Sequence, residues 1–160
     1  MSMKKQRGAL SAEAIMYTVF IIVGLIFVAA QAPNLMYKIN EMRFLSQANE
    51  IAQETNAWKK ARPNFDGVTI KKVCEETSLS KNICGSSNDG VATNPFGGNW
   101  TVVVNTGSKG LYNVTATIPQ DADRITSLAN SVAPSTRAAC YEATGCSTIA
   151  ITSNSLTMTY

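Results

Sequence analysis

Hydrophobic positions follow three different rhythms along the 160 residues. From Ala14 to Ala32 they are nearly continuous, and no charge interrupts the chain between Glu13 and Lys38. A run of about 20 apolar residues is what a helix needs to cross a bilayer, so this segment is predicted to enter a membrane. From Asn34 to Arg62 the apolar residues recur every three or four positions, at Leu35, Ile39, Met42, Leu45, Ala48, Ala52 and near Trp58. That spacing marks one face of an amphipathic helix. The two stretches together predict a helix of about 50 residues, about 75 Å at 1.5 Å per residue. Gly24 and Pro33 punctuate it, and a bend or locally melted stretch is expected near Pro33, because proline removes a backbone bond. Pro63 should end it.

Beyond Pro63 the apolar residues come in short runs separated by turn residues. Asn64-Phe65-Asp66-Gly67 reads as a turn, and Thr69 as the cap of a short helix carrying Ile70, Val73 and Cys74. The loops around Gly85–Gly90 and Asn94–Gly98 precede the β-branched run Trp100–Val104. After a turn at Gly107–Gly110, the residues Tyr112, Val114, Ala116 and Ile118 alternate with polar ones, and a hairpin follows. Asp121 is expected to cap a helix with Ile125, Leu128, Ala129 and Val132 on one face, ending at Pro134. Ser135 is expected to start another, through Cys140 to Ala143. Ile149 and Ile151, then Leu156, Met158 and Tyr160, give a second hairpin across Ser153-Asn154. The expected fold is α+β: a long N-terminal helix packed against a head built on an antiparallel sheet of about four strands.

Composition narrows the function. There is no histidine, which removes the commonest general base and the commonest zinc ligand. With no P-loop, no G-x-S-x-G and no convincing carboxylate pair, neither a catalytic site, a cofactor nor a metal is expected. The formal charge of +3 comes from Lys4, Lys5 and Arg7; the 11 other Lys and Arg balance 11 Asp and Glu. No nucleic-acid surface is expected. The four cysteines, Cys74, Cys84, Cys140 and Cys146, include no C-x-x-C pair and read as two disulfides in an oxidising compartment. The basic flank should stay cytoplasmic, which places everything after Lys38 outside. Glu13 stands at the mouth of the apolar run, where an unpaired carboxylate is costly and generally marks function.

Basic residues, then Gly8, then Ala9-Leu10-Ser11-Ala12-Glu13 and a long apolar helix resemble the class III leader of type IV prepilins. FDGVTI from Phe65, TNPFGG from Thr93 and AAC from Ala138 resemble type IVb pilins of the PilS-like and bundle-forming group. The resemblance implies a leader at residues 1–8, cut between Gly8 and Ala9 by a prepilin peptidase, with the new terminus methylated. It further implies a transmembrane and assembly half at 9–33, an amphipathic half at 34–62 and a pilin head at 63–160. Glu13 becomes the fifth mature residue. A terminal ammonium at Ala9 and the Glu13 carboxylate are each expensive in lipid, so pairing them between subunits removes two unfavourable terms together.

On this reading the chain is a structural subunit of an adhesive or conjugative pilus. It would be a single-pass inner-membrane protein with a periplasmic C-terminus before assembly, and extracellular afterwards. Its partners would be the peptidase, other pilin subunits and a host or recipient cell surface. The resemblance also implies a C-terminal disulfide that pins a segment touching other subunits. Cys140 matches the family's cysteine, whereas Cys146 is closer than the usual partner. Local pairing, Cys74 with Cys84 and Cys140 with Cys146, is the first choice among the three connectivities open to four cysteines. The alternatives are a minor or initiating pilin, suggested by the small Ala9, a type II secretion pseudopilin, or an anchored binding protein that never polymerises.

Overall fold

A computed structural model describes residues 12–160. The chain is α+β, with a long apolar N-terminal helix and a four-stranded antiparallel sheet. It divides into two units, Met1–Lys38 and Ile39–Tyr160.

Helix α1 spans Ala12–Lys59. The backbone stays helical through Pro33, so no melted stretch interrupts it; the missing proline N–H leaves one carbonyl of the preceding turn without its helical donor. The helix stops before Pro63, because Lys60 takes a left-handed conformation with φ of 45°. Arg62 closes this end: it donates from Nη1 to the Trp58 carbonyl, lies 4.1 Å over the Trp58 ring and forms a 2.8 Å ion pair with Glu76.

The buried face of α1 agrees with the expected one at Ala48, Ala52 and Trp58 and departs from it nearer the N-terminus. Glu41, Phe44, Ala48, Ile51, Thr55 and Trp58 are buried, at alternating spacings of three and four, while Leu35 and Met42 are each 63% exposed. Ile39 and Leu45 are half-buried. The face that packs carries the larger aromatic side chains and includes two polar residues, Glu41 and Thr55; the Thr55 hydroxyl has no hydrogen-bond partner among the described residues. Ser131 donates to the Glu41 carboxylate at 2.5 Å.

Helix α2 (Ile70–Glu76) starts where Thr69 Oγ1 accepts from the Lys72 N–H at 3.3 Å. A further short helix, α3 (Lys81–Cys84), follows and was not expected. Strands β1 (Trp100–Val104) and β2 (Tyr112–Thr117) form the expected hairpin, with Trp100 opposite Ala116 and Val104 opposite Tyr112. The Asn105 side chain accepts from the backbone N–H groups of Gly107 and Ser108, which sets the turn. Strands β3 (Ile149–Ile151) and β4 (Ser155–Thr159) form the second hairpin, and β4 docks against β2 to give the order β1-β2-β4-β3. Tyr112, Val114, Ala116, Leu156 and Met158 are buried on the face turned to α1. Ile149 and Ile151 stay partly exposed because β3 is an edge strand.

Two other expectations are corrected between the hairpins. Asp121 caps nothing with its side chain; it is left-handed, with φ of 58°, and a 3-10 turn at Ala122–Arg124 leads into α4 (Ile125–Val132). No helix runs from Ser135 through Cys140 to Ala143. Ser135 sits in a 3-10 turn, and its hydroxyl donates back to the Val132 carbonyl, so it closes the previous helix. Helical geometry would separate residues six apart by about 9 Å along the axis. The Cα atoms of Cys140 and Cys146 are 5.9 Å apart and joined by a disulfide.

The segment Asn94–Gly98 locks the head onto α1. Asn94 Oδ1 accepts from the N–H groups of Phe96 and Gly98, and its Nδ2 donates to the Thr117 carbonyl at 2.8 Å. Gly97 has φ of 81°, and a Cβ on Gly98 would lie 2.1 Å from the Thr117 carbonyl oxygen, so both positions require glycine. The tight turn pushes Phe96 into the core, edge-on to Phe44 of α1 at 5.6 Å.

Candidate functional site

Three surface features carry the chemistry. The first is the N-terminal part of α1. It is long and apolar enough to cross a membrane, and none of that span is buried. Ile15 is 52% exposed and Phe20 69%, and the side chains between and beyond them are comparably bare as far as Val28. Such a surface requires lipid or protein around it. Glu13 lies in the first turn, exposed, where a carboxylate also complements the positive end of the helix dipole. Thr18 Oγ1 donates to the Ala14 carbonyl, so its polar group is satisfied within the helix. A Cβ at Gly24 would meet nothing within 4 Å, so no packing inside the chain demands glycine there. Gly8 and Ala9 lie outside the described residues.

The second feature is the loop closed by the Cys140–Cys146 disulfide. Asn130 of α4 accepts the Ala143 N–H at 2.8 Å, and the Thr159 carbonyl of β4 accepts from Arg137 at 3.0 Å. Thr136 and Thr148 share a buried hydroxyl contact of 2.7 Å beneath the loop. On this fixed base Tyr141 is 98% exposed, next to the exposed Glu142. The other disulfide, Cys74–Cys84, joins α2 to α3 inside the core, with both cysteines buried.

The third feature is a polar groove of about 520 Å³ beside α1. One wall is Arg43, Gln47 and Glu50 of α1, and the other includes Ser80, Asn82, Thr93 and Pro95. The Glu50 carboxylate accepts from the Ser80 N–H at 2.7 Å and from its hydroxyl at 3.1 Å. Gln47 accepts from the Trp100 indole at 2.9 Å. Arg43 is exposed and has no ion-pair or hydrogen-bond partner among the described residues.

Sequence reasoning found Glu13 and the four cysteines but missed Arg43 and Tyr141. For Tyr141 the signal was its place immediately after Cys140. For Arg43 there was none, because the groove walls come from segments some forty residues apart in the chain. No family model, curated protein or solved structure matches the chain.

Proposed function

We propose that the chain is a type IVb prepilin, a membrane-anchored precursor that is trimmed after Gly8 and polymerises into an extracellular filament. The observation that carries this reading is the bare apolar half of α1, with Glu13 in its first turn, followed in the same chain by a disulfide-bonded head with an antiparallel sheet. A plain anchor needs no carboxylate at the mouth of its apolar run. A polymerising one uses it to accept the ammonium of a neighbour's new N-terminus, and the pair fixes the axial register. The filament would adhere to, or bridge, cell surfaces.

Two measurements test this. N-terminal sequencing of the protein from sheared surface filaments should begin at Ala9; a chain that begins at Met1 and stays in the inner membrane refutes the proposal. Glu13→Val should be processed normally yet lower filament recovery about 100-fold, the scale set by leaving one charge unmatched in an apolar environment.

A further inference from the structure

The polar groove beside α1 is lined by two charged side chains, and only one of them is answered within the protein. Glu50 accepts both the N–H and the hydroxyl of Ser80, at 2.7 and 3.1 Å. Arg43, about two turns away on the same helix, is exposed and makes no ion pair or hydrogen bond among the described residues. Between them the Gln47 side-chain oxygen accepts the Trp100 indole N–H at 2.9 Å, which leaves its amide N–H groups as donors. Across the groove, the side chains of Asn82 and Thr93 are exposed and make no hydrogen bond among the described residues. Pro95 is the apolar member of the lining.

The walls are set before anything binds. The Ser80 bonds tie the start of α3 to α1, the Cys74–Cys84 disulfide ties α3 to α2, and a backbone bridge between Thr93 and Asn99 holds the remaining side. A preformed site loses less freedom on binding than one that has to order itself. Its volume of about 520 Å³ falls within the range of small-molecule sites.

The groups present select a ligand. A guanidinium fork matches a single carboxylate in two parallel bonds. A phosphate, with its greater charge, would find one cation and the Glu50 carboxylate on the same helix. Glu50 accepts two bonds and has lone pairs left for a further donor, so a ligand that carries hydroxyls beside its carboxylate suits both charges. The other polar groups are uncharged hydroxyls and amides, and the lining contains no aromatic ring on which a nucleobase could stack.

We propose that the groove binds an acidic sugar, a uronic or sialic acid. Its carboxylate sits on Arg43, its hydroxyls bond Gln47, Asn82 and Thr93, and the apolar edge of its ring lies against Pro95. The groove is formed within a single chain and needs no second copy, so the site is independent of the assembly reading above.

The test uses full-length protein in a polyoxyethylene detergent, which carries no sugar. Glucuronate and N-acetylneuraminate are titrated in turn while the Trp100 indole N–H resonance is followed by nitrogen-15 NMR. Gln47 holds that N–H, so filling the groove should move it, whereas the Trp58 indole does not line the groove and serves as the internal control. At least one of the two acids should bind with a Kd of about 1 mM, and the pair of titrations tells which class is preferred. Glucose, which has hydroxyls without the carboxylate, and acetate, which has the reverse, should each bind at least about tenfold more weakly. Arg43→Gln should weaken the acid about tenfold and remove its advantage over glucose, while Thr93→Val should weaken acid and glucose alike by about fivefold. Both residues are exposed, so the melting temperature should match the parent's. A Kd above about 10 mM for both acids, phosphate or glucose binding as well as the acids, or unchanged binding by Arg43→Gln overturns the site. A chain that keeps Met1 and never polymerises should still bind, so failure of the assembly reading leaves this result legible.

Discussion

Tyr112 shows how one side chain ties the last strand, the hairpin and the long helix together. Its phenol donates to the Ala52 carbonyl of α1 at 2.8 Å, its ring lies 4.6 Å from Phe65 and 5.7 Å from Tyr160, and its backbone N–H and carbonyl both bond Tyr160. Burial pushes its pKa above the ordinary tyrosine value, and the neighbouring Tyr160, raised by its own burial, adds to the effect. Both phenols are harder to ionise folded than unfolded, where tyrosine titrates near pH 10 (about 10). The stability this represents is whole below about pH 10 and falls as pH rises toward the folded values. Absorbance titration at 295 nm should therefore show a late-ionising group that loses one tyrosine in Tyr112→Phe. Melting temperature should fall more steeply above about pH 10 in the parent than in that variant. If every tyrosine ionises near its ordinary value in the folded protein, the buried pair is misplaced.

At the scale of elements, the segment Asn94–Gly98 makes the sharpest demand. A Cβ on Gly98 would collide with the Thr117 backbone, which is held by its pairing with Ser155 of β4 and by the N–H bond to the Asn99 carbonyl. Gly98→Ala should destabilise the head by about 3 kcal/mol or more, read from denaturant midpoints, whereas a change at exposed Val91 should stay within about 0.5 kcal/mol. An effect of equal size at both positions would show that the clash relaxes elsewhere. This turn and the four strands were legible in the sequence because alternation with period two, bounded by glycine and asparagine, has few other readings. The packing face of α1 was legible only in part, at Ala48, Ala52 and Trp58. Leu35 and Met42 begin the expected stripe yet stay exposed, and the residues that pack beside Phe44 and Ile51 include Glu41 and Thr55, whose polarity hides that part of the face from pattern counting. Local cues also misled at Ser135, where a capping residue type closes the preceding helix instead.

For the whole molecule, the chain divides at Ile39 into two units. The described apolar side chains before it are mostly bare, Tyr37 being buried, whereas Phe44, Trp100, Val114, Leu128 and Leu156 lie after it, with both disulfides. Removing residues 1–38 keeps all five of these groups and leaves Glu41 in the first turn of the shortened helix, where its charge meets the positive end of the dipole. The Ser131 hydroxyl still bonds it. A fragment of residues 39–160, made in an oxidising compartment, should be soluble without detergent and melt cooperatively. It should carry the near-ultraviolet circular dichroism of buried Trp58 and Trp100. Full-length protein should need detergent, because the apolar span has no cover of its own. A fragment that binds hydrophobic dyes and lacks near-ultraviolet signal would mean that the first 38 residues help to build the head, and the separation of an assembly helix from a self-sufficient head would fail with it.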